Sequence, residues 1–104
     1  MAGRKRPERT ARRAQERDAR KLVRDREKLA ALSPGGARER PIDVTSAAVI
    51  EGRARSLPCP QCAGTYDLRD HRSAGPGLRC VDVVCRQCSA PRTLWFRISV
   101  DEPN

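Results

Sequence analysis

Two Cys-x-x-Cys pairs, Cys59-Pro60-Gln61-Cys62 and Cys85-Arg86-Gln87-Cys88, constrain this chain more than any other feature in it. Two residues between cysteines let a tight turn aim both sulfurs at one point about 2.3 Å from a metal ion, and two such turns complete a tetrahedron of thiolates. The 22 residues from Ala63 to Val84 separate the pairs. That is slightly more than the roughly 15–20 usual for this pattern, and a turn over Ser73-Ala74-Gly75-Pro76-Gly77 absorbs the excess. The spacing predicts one structural Zn2+ held by Cys59, Cys62, Cys85 and Cys88. A redox pair fits less well, because that chemistry uses a single Cys-x-x-Cys at a helix N-terminus. Four-cysteine iron–sulfur ligation remains open chemically.

A chain like this needs such a staple. It has 104 residues, 38% of them hydrophobic and only 3% aromatic, against 34% charged. So small a core struggles to offset the entropy of ordering the backbone, and small folds usually add metal or disulfides. The five cysteines suit metal better than disulfides if the compartment is reducing. No apolar run behind the basic N-terminus resembles a secretory signal, and no stretch approaches the roughly 20 apolar residues of a membrane span. Glu8, Glu16, Asp18, Asp25 and Glu27 are too many acids for a mitochondrial transit peptide. The expectation is a cytoplasmic (intracellular) protein with no membrane partner.

The residues around the cysteines extend the pattern. Leu57-Pro58-Cys59-Pro60-Gln61-Cys62-Ala63-Gly64 and Val84-Cys85-Arg86-Gln87-Cys88-Ser89 resemble the two knuckles of the zinc-ribbon superfamily, over about residues 45–100. The resemblance implies an antiparallel zinc ribbon. It also implies either a nucleic-acid-binding role in transcription or translation, or a module that only stabilises a larger protein. That family often places Gly just after each knuckle's second cysteine, where φ is positive; this chain has Ala63 and Ser89.

The fold class read from the whole chain is a small metal-stapled β domain preceded by a basic, partly helical arm. The arm covers residues 1–36, a linker 37–41, the ribbon 42–101 and a tail 102–104. Residues 1–7 read as disordered. From Glu8 to about Leu32 there is no Gly or Pro and good helix formers dominate. Glu8 with Arg12 and Glu16 with Arg20 are acid-before-base pairs at four-residue spacing, and Ser33-Pro34-Gly35-Gly36 stops the helix. Ala11, Leu22, Leu29 and Leu32, with Val23 and Ala30 beside them, form a stripe too thin to hold a helix down. Within the ribbon, Ile42–Leu57, Thr65–Arg69, Val81–Val84 and Thr93–Val100 read as strands. In the last, Leu94, Phe96, Ile98 and Val100 share one face and Trp95, Arg97 and Ser99 the other.

Charge is the functional clue. Of the net +9, residues 1–40 carry +8, from 14 Lys or Arg and 6 Asp or Glu. Such a segment attracts phosphates by counterion release, and Arg can also bind them bidentately. The candidate nucleic-acid contacts are Arg12, Arg13, Arg20, Lys21 and Arg24 of the arm. The ribbon adds Arg86, Arg92, Trp95 and Arg97, the tryptophan by stacking on a base. Trp95 could instead pack beneath Ile42–Leu57, and the leucines of the arm could dock on a protein partner. Cys80 reads as a small buried hydrophobe, and His71 as a solvated residue of a polar loop. Four thiolates leave no open position for catalysis, and the chain lacks HExxH, a His-x-Glu deaminase pattern and a phosphate-cradling glycine loop. The sequence therefore points to a non-enzymatic binding protein with no small-molecule substrate. Its partner is RNA or DNA, or alternatively a protein for which the chain is an adaptor or assembly subunit.

Overall fold

A computed structural model describes residues 5–99, with side chains from residue 8 onward. Helix α1 runs over Lys5–Leu32, one continuous helix where the sequence suggested partial helicity. Pro7 is tolerated because it falls in the first turn, where its missing N–H has no partner to lose. Three strands follow the cysteine frame: β2 (Tyr66–Gly75), β3 (Leu78–Cys85) and β4 (Pro91–Ile98). They form an antiparallel meander, with Val81 opposite both His71 and Leu94, and Val83 opposite both Leu68 and Arg92. The β2–β3 turn places Gly75 and Gly77 at φ of 146° and 68°, values that glycine adopts without strain.

The ribbon is not purely antiparallel. A short strand β1 (Ile42–Val44) adds to β4 in parallel, so the sheet is mixed, in the order β1-β4-β3-β2. The rest of the expected strand over Ile42–Leu57 is a 3-10 turn (Ala47–Val49) and a helix α2 (Ile50–Ser56). Its β-branched residues argued for a strand, but Ile50 and Ala54 are four apart and both fully buried, which is a helical spacing. Glu51 in the first turn with Arg53 and Arg55 in the last also suits the helix dipole.

The core lies on one face of the sheet. Phe96, Val81, Val83 and Leu94 meet Ile42, Val44, Ile50 and Ala54, so α2 covers the face that the alternation in β4 nominated. On the opposite face, Cys80 sits beside Trp95 in register and is only 1% exposed. Trp95 therefore does not pack beneath residues 42–57; its half-buried ring lies under the Arg38 guanidinium, 6.0 Å from the centroid. His71 is in strand β2 rather than a loop, and its Nδ1 lies 3.2 Å from a Glu51 carboxylate oxygen.

The end of the expected arm is fastened to the sheet, and the expected linker (37–41) to it in turn. Trp95 N–H donates to the Gly35 carbonyl (2.9 Å), and Gly35 N–H to that of Arg40 (2.6 Å). Helix α1 projects beyond the ribbon, giving a radius of gyration of 19.2 Å against roughly 13 Å for a compact chain of this length. Among the described residues, no helix is long and apolar enough to cross a membrane. Residues 1–4 and 100–104 lie outside the described range.

Candidate metal centre and its docked helix

Each Cys-x-x-Cys pair is wound by the same backbone bonds. In the first turn Ala63 N–H donates to Cys59 O (2.7 Å) and Cys59 N–H to Gly64 O (3.0 Å). In the second, Ser89 N–H donates to Cys85 O (3.0 Å) and Cys85 N–H to Ala90 O (3.0 Å). Arg86 N–H, donating to Thr65 O at 2.9 Å, ties one turn to the other. All four sulfurs lie within 4.8 Å of one another, with Cys59 Sγ 3.7 Å from Cys88 Sγ and Cys62 Sγ 3.4 Å from Cys85 Sγ. Ligands at the zinc–sulfur distance stand roughly 3.8 Å apart in a tetrahedron, so the donor set could hold one metal ion. Cys80 is outside this cluster.

The electrostatics of the cluster suit a cation. Backbone N–H groups of Cys88 and Gln87 point at Cys85 Sγ (3.5 and 3.4 Å) and pull its thiol down to about 6. The Gly64 N–H favours the Cys62 thiolate too. Yet the neighbouring thiols, Cys85 foremost, outweigh it and push Cys62 up to about 12. Four sulfurs this close cannot all be anionic unless a positive charge sits between them.

Both knuckles require a left-handed residue, Ala63 at φ 62° and Ser89 at φ 63°. These are the two positions where the sequence lacks the expected glycine. Ala63→Gly or Ser89→Gly is expected to stabilise the ribbon by about 0.5–1 kcal/mol each. The thermal midpoint should rise by roughly 4–8 °C per kcal/mol; an unchanged or lower midpoint would contradict the strain. The glycine present one position later does different work. A Cβ on Gly64 would stand 3.0 Å from Cys85 Sγ and 2.9 Å from Gln87 Cβ, so Gly64 lets the second knuckle close on the first.

The arm is joined to the first knuckle by polar groups, not by its apolar stripe. Arg26 donates to Gln61 O (2.8 Å), and Gln61 Nε2 donates to Val23 O (3.0 Å) and to Glu27 Oε2 (2.7 Å). Arg92 reaches from β4 to the same Glu27 oxygen at 2.6 Å and lies beside Tyr66, which in turn neighbours Cys59. Of the apolar candidates only Ala30 is buried; Leu22, Val23, Leu29 and Leu32 are 48–65% exposed. Hydrogen bonding from Arg92 holds the Glu27 carboxyl below its ordinary value. The contribution of this clamp is therefore complete above the usual carboxylate range and is lost as pH falls below it. Glu27→Ala is expected to speed amide exchange over residues 20–32 while the ribbon stays protected. Unchanged exchange there would show that the clamp does not hold the helix.

The candidate cations separate into distinct groups. At 3.6 residues per turn, Arg9, Arg13, Arg17, Arg20, Lys21, Arg24 and Lys28 fall on one side of α1, and all seven are exposed. They form a stripe about a third of the circumference wide and roughly 29 Å long. Glu16 and Glu27 border one margin, Asp18 and Asp25 the other. Arg13, Arg20, Lys21 and Arg24 were expected contacts; Arg9, Arg17 and Lys28 complete the row and were legible from the three-and-four spacing. Arg12 lies about a third of a turn away from the row's centre. Neither Glu8–Arg12 nor Glu16–Arg20 closes to ion-pair distance among the described residues. On the ribbon, Arg97 is exposed and Arg86 pairs with Asp67 at 2.5 Å. Arg92, only 10% exposed, spends its charge on Glu27.

Set against models of protein families, against curated proteins and against solved structures, the chain matches none of them.

Proposed function

We propose that this chain is a non-enzymatic nucleic-acid-binding protein, a zinc-ribbon module whose single structural Zn2+ is held by Cys59, Cys62, Cys85 and Cys88. Zinc is favoured because a set of four thiolates around a tetrahedral centre is its usual structural site. Such thiols stay free for metal in a reducing, cytoplasmic compartment.

The observation that carries the reading is the row of seven exposed cations on α1. None of the seven has an ion-pair partner among the described residues. A solvated helix kept soluble by charge would interleave its signs around the circumference, as acids and bases do along this sequence. Here the winding of the helix gathers seven cations on one side and leaves the acids, with Arg12 and Arg26, at its margins or beyond, and a phosphate backbone is the common polyanion that fits a row of arginines. The clamp on Gln61 and Arg92 adds to the case, because it sets the row at a fixed angle to the ribbon. Anisotropy of labelled nucleic acid titrated with the full chain at about 50 and 200 mM salt tests the reading. Binding should weaken by on the order of 10³-fold between these salts if six or more phosphates are neutralised. No binding at the lower salt rejects it.

A further inference from the structure

The position of the acids and aromatics around the cationic row narrows what kind of nucleic acid it can hold. We infer, resting on the reading above, that α1 lies along the sugar–phosphate ridge of a double-stranded nucleic acid, without entering a groove and without reading bases.

Three observations lead there. First, the row is one-sided. A helix seated in a major groove about 12 Å wide has phosphates along both flanks as well as bases beneath it. On α1 one flank carries Glu16 beside Arg12, and the other carries Asp18 and Asp25 with no cation beyond the row, so insertion would press the two aspartates against phosphates. Contact with a single phosphate ridge leaves the acids facing solvent. Second, between its margins this face carries only Thr10 besides its cations, so it offers no amide or large apolar side chain to a base edge; Arg and Lys can bond guanine, and the comparison of two sequences below tests for that. Third, the chain has one Trp, one Tyr and one Phe, and none offers a stacking platform. Tyr66 and Phe96 are 3% and 0% exposed, and the half-buried Trp95 is capped by Arg38. Proteins that hold single strands combine cations with exposed aromatics. A duplex asks only for charge, and supplies it densely, at one phosphate per roughly 3.4 Å of axis along either strand.

DNA and RNA duplexes share this ridge chemistry, and the experiment separates them. The full chain is titrated into labelled 20-base-pair DNA duplexes of two unrelated sequences, an RNA duplex and a 20-nucleotide single strand, at about 150 mM salt. The two DNA duplexes should bind within about threefold of each other, and the single strand about tenfold more weakly. Binding of one duplex type alone assigns the source while leaving the ridge mode intact. The variant Asp18→Lys/Asp25→Lys adds cations on one flank; ridge binding gains only a few-fold, through screened long-range attraction. A gain of about 100-fold or more would show phosphates on that flank and overturn the ridge mode, as would a single strand that binds as tightly as the duplex. A preference of about 100-fold for one DNA sequence would overturn it too. Failure of every nucleic acid to bind, even at low salt, removes the parent reading and this mode with it.

Discussion

A strong chelator is expected to unfold the ribbon of the full chain. Strand signal should disappear, the Trp95 environment should become that of a solvated indole, and about one equivalent of zinc should be released. A structural zinc site contributes apparent binding free energy of about 10–16 kcal/mol. A whole domain of this size rarely exceeds 5–15 kcal/mol of net stability. The remaining core centres on Phe96, Val81, Val83, Ile50 and Leu94, and it cannot make up such a loss. Cys85→Ser should have the same effect, because Cys85 is 1% exposed and receives two N–H bonds from its own knuckle. Cys80→Ser is the informative control: it buries a hydroxyl on the far side of the sheet and should cost about 1–3 kcal/mol without lowering the zinc content. Unchanged circular dichroism with no metal released would sink the assignment. Equal zinc loss from the Cys80 variant would sink the ligand set.

The second large effect is on nucleic-acid affinity. Arg13→Gln/Arg17→Gln/Arg20→Gln removes three adjacent cations of the row. The slope of log affinity against log salt should become shallower by about 2.7, and affinity should fall on the order of 100-fold or more. Arg12→Gln, the same change on a different side of α1, should cost less than about twofold. The variants remove three charges and one from the same helix, so the losses are compared per charge: about fivefold for each arginine of the row against less than about twofold for Arg12, a difference that reports geometry rather than net charge. All four arginines are exposed, and neither variant should alter zinc content or thermal midpoint. Equal losses per charge from both variants would mean that the arm acts as a diffuse cationic cloud.

The cysteine cluster and the meander were legible because their signals are local. Cys-x-x-Cys fixes its own turn, and the alternation of Leu94, Phe96 and Ile98 fixes a face. The residues after the knuckles, Ala63 and Ser89, were read correctly as positions that need a positive φ despite lacking glycine. What stayed hidden depends on partners far apart in sequence. Glu27 and Arg92 are 65 residues apart, and Gln61 and Glu27 34; no periodicity announces such pairings. The reading of α1 sought an apolar anchor and found too few leucines, while the anchor is polar and sits at the knuckle itself. Arg92 accordingly looked like a phosphate ligand and is a structural one. Residues 50–56 misled in another way: Val49 and Ile50 favour a strand by propensity, but burial of Ile50 and Ala54 on one side decides for a helix.

The attachment of α1 has a mechanical meaning. The helix is a beam built in at one end, at Gln61 and Arg92, with the remaining turns overhanging. A load placed on the overhang reaches the support as a bending moment, and its lever arm is roughly 20 Å for a force applied near Arg13. The support is shared between the turn from Cys59 to Cys62 and Arg92 of β4. Whatever grips the outer turns of α1 therefore also loads the turn that carries two of the four clustered sulfurs.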